Sequence, residues 1–133
     1  MQAFLAATHW LYDLPMPAVV EKRGDVVFIR LKGKLLLGES VDDFRGKWQD
    51  ALASGSRNLV VNLSGVPVLD STGIGSLLRC QTAVSSSQGK LRLVGTNKVI
   101  RQALRVTRLE RHFEFHESEE SALASLGEPS DKQ

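Results

Sequence analysis

The chain contains a single cysteine, Cys80, among 133 residues. One thiol rules out an intramolecular disulfide and leaves no partner for a cysteine-based metal site. A reducing, cytoplasmic setting is the simplest expectation. No run of about 18 apolar residues occurs, so no membrane span is expected. An excess of one charge is also lacking. The net charge is +2, acidic and basic residues are interspersed, and no nucleic-acid footprint is evident. Apolar residues make up 42% and charged residues 24%, the balance of an ordinary globular protein rather than a disordered one. This length fits one domain with a single core.

The N-terminal stretch MQAFLAATHWLYDLPMP lacks a basic start, and Trp10, Asp13 and two prolines interrupt it, which argues against a secretory signal. Phe4, Ala7, Leu11 and Leu14 fall at helical spacing, so a short amphipathic helix ending before Pro15 is predicted. Such a segment either packs on its own domain or serves as a docking arm. The polar C-terminal GEPSDKQ reads as a flexible tail.

Between these ends the pattern alternates. Ala18–Lys22 and Val26–Lys32 read as strands turned at Arg23-Gly24-Asp25. Val41, Phe44, Trp48 and Leu52 mark a helix over Glu39–Ser54, stopped near Gly55. Asn58–Leu63 is a near-continuous apolar run, as expected for a strand covered on both faces. A helix carrying Ile74, Leu77, Leu78 and Val84 follows and ends at Gln88-Gly89. Lys90–Val94 is a further strand, Asn97–Thr107 a helix, Phe113–Phe115 a short last strand and Ser118–Leu126 a last helix. This order predicts an α/β domain: a central mixed, mostly parallel β-sheet flanked by about four helices. In such sheets, functional ground lies beyond the carboxyl ends of the strands.

The stretch VPVLDSTGIGSLL, Val66 to Leu78, falls there. It is no P-loop, because the lysine is absent; no dinucleotide fingerprint, because a third glycine would be needed at Leu78; and no nucleophile elbow, because Leu69 precedes Ser71 where a glycine is needed. His112 and His116 are four apart but have no third ligand near them in sequence, so no metal and no cofactor are expected. Ser71 or Thr72 is placed to cap the following helix. Gly73 and Gly75 lower its helix propensity, so they serve either a bare surface at the helix start or close packing against the sheet. A phosphate on Ser71 would sit at a helix N-terminus, which suits an anion. A partner on the same surface would have to desolvate that dianion, so it would be released while the fold stayed intact. Catalysis by Asp70, Ser71 and a histidine ranks last: nothing places His9, His112 or His116 within reach of Ser71.

These residues carry a resemblance. LVVNLSGVPVLDSTGIGSLLR, Leu59 to Arg79, with Asp70-Ser71-Thr72-Gly73-Ile74-Gly75 opening a helix, resembles the STAS domain family, as does GKLRLVGTNKVIRQALRVTRLERHFEFHESEESALASL. The best-known soluble members of that family are bacterial anti-sigma factor antagonists. The resemblance implies a STAS domain at 18–127, an N-terminal extension at 1–17 and a tail at 128–133. It implies a binding protein and no enzyme. Ser71 would be the phosphorylated residue, with Thr72 the lesser candidate, and Asp70 to Gly75 the partner-binding residues. The partners would be an anti-sigma factor that is also a serine kinase and a PP2C-type phosphatase, and the extension could join chains into a homo-oligomer. The other role the family offers is an accessory subunit of a lipid-transport or multi-protein signalling complex with no phospho-switch. Many members carry Gly-x-Leu/Ile-Asp after the second strand. Here Gly33-Lys34-Leu35-Leu36-Leu37-Gly38 lacks that aspartate, so polar contacts or nucleotide binding at that corner are not carried over.

Overall fold

In the computed structural model, residues 16–127 are described. The N-terminal helix predicted before Pro15 and the tail after Gly127 lie outside them. β1 (Met16–Arg23) and β2 (Val26–Lys32) form an antiparallel hairpin across Gly24-Asp25. Then follow α1 (Glu39–Ala53), β3 (Asn58–Gly65), α2 (Ser71–Ser86), β4 (Lys90–Val94), α3 (Lys98–Val106), a 3-10 turn (Glu110–His112), β5 (Phe115–His116) and α4 (Glu119–Ser125).

The sheet runs in the order β1-β2-β3-β4-β5, with every pairing after the first parallel. Successive parallel strands lie side by side in one direction, and right-handed crossovers then put α1, α2 and α3 on a single face. Packing follows that rule. Val27, Ile29, Leu59, Val61, Leu91 and Leu93 face one core with Phe44, Trp48, Leu77, Cys80, Ile100 and Leu104. Val26, Phe28, Val60 and Val94 face a smaller core closed by Ala122 and Leu126 of α4. The central strand β3 is buried from both sides, which is why its sequence reads as an unbroken apolar run.

Phe28 is fully buried although α4 lies toward β3 and β4. Its ring is roofed by the Arg23 and Arg30 guanidiniums, 4.4 and 5.5 Å from its centroid. Arg30 also holds α4: it donates to both oxygens of Glu119 at 2.8 Å, and Asn62 donates a third bond to that carboxylate at 2.8 Å. Arg30 beside it lowers the Glu119 pKa to about 2. Cys80 is sealed in the main core, and burial pushes its thiol up to about 12, outside the range of a reactive thiolate.

The predicted last strand is displaced. Phe113 is not in it; its side chain packs in the main core from the turn, and pairing with β4 begins at Phe115. The end of α2 differs too. Gln88, not Gly89, takes the left-handed conformation (φ 65°), while Gly89 is required because a Cβ there would overlap the Arg57 carbonyl.

Candidate functional site

The parallel strands all end on one rim of the sheet, and the loops there are stitched together. Leu35, after β2, donates to the Val68 carbonyl at 3.1 Å and accepts from the Asp70 amide at 3.3 Å, an isolated parallel bridge beyond the sheet proper. Asn97 donates from its side-chain amide to the Val66 and Pro67 carbonyls at 3.2 and 3.1 Å, tying the start of α3 to the same loop.

Asp70 stands at the junction. It, rather than Ser71 or Thr72, is the N-cap of α2: Oδ1 accepts from the Gly73 amide at 2.8 Å. Its second oxygen accepts from the Leu37 amide at 3.0 Å. Serine, threonine and aspartate are all good caps. Aspartate prevails here because its two oxygens serve the helix and the β2–α1 loop at once. The Leu37 amide, and then the Gly73 amide, hold the Asp70 carboxyl below its usual value.

Ser71 is therefore the first helical residue, and its side chain is exposed. Thr72 is half-buried. Gly73 is buried, and a Cβ there would overlap the Leu35 carbonyl oxygen and meet Leu69 Cβ at 3.0 Å. Gly75 has open space where its Cβ would be. The two glycines thus divide the two readings between them, Gly73 serving close packing and Gly75 leaving bare backbone at the surface. Ile74 turns inward against the main core. Asp70, Ser71, Thr72 and Gly75 remain together on the rim.

Sequence reasoning did not place Leu37 at this site. It is 77% exposed, and its backbone amide is tethered to the carboxylate of Asp70, the residue before Ser71. The signal was the Leu35-Leu36-Leu37 run: Leu35 goes to the core, while the Leu36 amide and carbonyl are both bound by Ser40 Oγ, which leaves Leu37 outside. The histidines do not join the site as a catalytic group would. His116 Nδ1 lies 2.7 Å from Ser121 Oγ at the end of β5, and His112 lies in the 3-10 turn. His9 lies outside the described residues. Among the described residues no cluster of three or more metal-ligating side chains occurs, and no helix is long and apolar enough to cross a membrane.

This strand-to-helix rim, in a sheet of this order, is that of a STAS domain. The STAS domain model matches residues 17–122, and the chain belongs to that family. The fold is shared with a candidate anti-sigma factor antagonist from Thermotoga maritima: TM-score 0.76 at 24% identity, covering 82% of this chain and 93% of that one. It is also shared with the phosphorylated form of the Bacillus cell fate determinant SpoIIAA (TM-score 0.67, 22% identity, 83% of this chain and 99% of that one). An anti-sigma factor antagonist from Mycobacterium paratuberculosis matches with a TM-score of 0.70 at 20% identity, over 85% of this chain and 98% of that one.

Proposed function

We propose that this chain is an anti-sigma factor antagonist that works by binding in the cytoplasm and catalyses nothing. With Ser71 unmodified, its rim sequesters an anti-sigma factor that is also a serine kinase, and a sigma factor is released for transcription. That kinase phosphorylates Ser71, the complex dissociates, and a PP2C-type phosphatase resets the chain. The extension before the domain is free to join chains into an oligomer.

The observation that carries this reading is the exposed Ser71 hydroxyl at the first position of α2, one turn from a glycine with open space over it. A phosphate there lies at the positive end of α2, next to the Asp70 cap that already takes the Gly73 amide, and the exposed site lets water share its charge, so the fold tolerates it. It also follows directly on Asp70, whose carboxylate holds the amide of the exposed Leu37. A partner seated on Leu37 and Gly75 would have to strip water from a dianion next to a second negative charge, which disfavours the complex by several kcal/mol. A loss of about 4 kcal/mol weakens binding roughly a thousandfold.

The test is to incubate the chain with a candidate anti-sigma kinase and ATP and to map the phosphate by mass spectrometry. Label on Ser71 is expected. Ser71→Ala should abolish labelling and keep binding, while Ser71→Asp should weaken binding. Label at another residue, or equal binding by both variants, overturns the reading.

A further inference from the structure

Five cationic residues lie between Asn97 and His112 (Lys98, Arg101, Arg105, Arg108 and Arg111) against the single carboxylate of Glu110. The whole chain carries only +2, so the remainder is net acidic and the positive charge is concentrated on α3 and the turn after it. Arg101 stacks on the Phe115 ring, 3.8 Å from its centroid, and bonds Glu110 at 2.8 Å, so it is held in place. Lys98, Arg105, Arg108 and Arg111 are exposed.

The outward face of α3 is ordered. Ile100 and Leu104 are fully buried and fix which side faces the core. At 3.6 residues per turn, the opposite side carries Gln102 along its middle, with Lys98 and Arg105 on one shoulder and Val99 and Val106 on the other. Each pair is seven residues apart. Val99 is 57% and Val106 68% exposed, two of the few large apolar side chains left outside among the described residues. On the cationic shoulder lies a recess of about 480 Å³ lined by Thr96, Asn97, Lys98, Arg101, Gln102 and Arg105. The Asn97 bonds to Val66 and Pro67 tie the start of this surface to the loop that leads to Ser71.

We propose that the outward face of α3 is a second docking surface for the partner that reads Ser71, and that it receives an acidic, amphipathic segment of that protein. Carboxylates of the segment enter the recess between Lys98 and Arg105, and its apolar side chains cover Val99 and Val106. Charge complementarity sets the sign of the occupant, and the valine shoulder sets its kind. A nucleic acid would leave the valines uncovered and finds no exposed aromatic on α3 to stack a base upon. A lipid surface calls for tryptophan, phenylalanine or leucine on the apolar side, which this face lacks. The proposal rests on Ser71 facing a protein partner, and its test separates the two.

Lys98→Glu/Arg105→Glu and Val99→Ser/Val106→Ser alter exposed positions only, and thermal melts verify that both variants fold. Affinity for the kinase that labels Ser71 should fall at least tenfold in the first and severalfold in the second, with the salt dependence flattened only in the first. Unchanged affinity in both, with Ser71→Asp still weakened, overturns the α3 surface and leaves the Ser71 reading standing. Should no kinase label Ser71, the earlier reading fails, and a synthetic Glu/Leu amphipathic peptide decides this one by amide chemical shifts. Saturable shifts within 97–111, lost in the charge-reversed variant and reduced in the serine variant, support it. Shifts elsewhere, no shifts, or tighter binding of phosphatidylglycerol vesicles or duplex DNA overturn it.

Discussion

Gly73 and Gly75 lie two positions apart at the start of α2 and meet opposite surroundings, so the same substitution should act on them with opposite sign. Gly73→Ala forces a methyl into the Leu35 carbonyl and should destabilise by about 3 kcal/mol, at the upper end of overpacking effects. Gly75→Ala meets nothing and should stabilise by about 1 kcal/mol through helix propensity, while its new methyl weakens partner binding. Urea unfolding of the two variants beside a binding assay checks both signs. Arg108 is a third residue held against local preference. It sits left-handed (φ 62°) just past the end of α3, where its amide reaches the Arg105 carbonyl at 3.0 Å and that of Leu109 reaches Leu104 at 2.8 Å. Glycine is the usual occupant of such a position. Arg108→Gly should raise stability by about 1 kcal/mol, read as a higher denaturant midpoint. Of these environments the sequence announces only the glycines themselves. Which one touches Leu35 depends on a carbonyl 38 residues earlier in the chain, and no local pattern encodes it.

Elements with a clear pattern were legible even when short, α4 among them, and the two-residue β5 was not. β2 and β4 have the bounds their patterns predict, because each alternates or runs apolar over its full length. β5 has two residues, too few to carry a period, and the conspicuous Phe113 beside it belongs to the core instead. The cap of α2 was misassigned for a tertiary reason, the reach of Asp70 to Leu37. The cations of α3 were visible as letters, but a whole-chain balance of +2 concealed their clustering. α4 shows what holds an element too short to be stable alone. Its Glu119 is depressed to about 2 by Arg30 and then Asn62. A carboxylate held below its unfolded value stabilises the fold above that value and ceases to do so as pH falls through the folded one. Stability should therefore decline from about pH 4.5 toward pH 2 through this group. Glu119→Gln should lower the urea midpoint at neutral pH and flatten that part of the pH profile; a slope equal to that of the unmodified chain would refute the assignment.

At the scale of the molecule, the helices on one face and α4 on the other leave the rim of strand ends open, and the proposed switch and the α3 face both border it. Deleting residues 1–15 should leave the far-ultraviolet dichroism and melting of the domain unchanged, because the match to the STAS domain begins at residue 17. A reduced mass by light scattering would assign the extension to self-association. The antiparallel course of β1 has a practical corollary. Met16 pairs with Lys32 at the far end of β2, so the chain enters the fold on the rim that carries Ser71. α4 likewise runs away from that rim, from Glu119 at the level of Asn62 to Ser125 at the level of Arg92, and leads the chain off toward the opposite edge. An affinity handle or fluorophore placed ahead of Met16 would crowd the very ground where a visitor lands, whereas one placed after Gly127 would report on it from a distance.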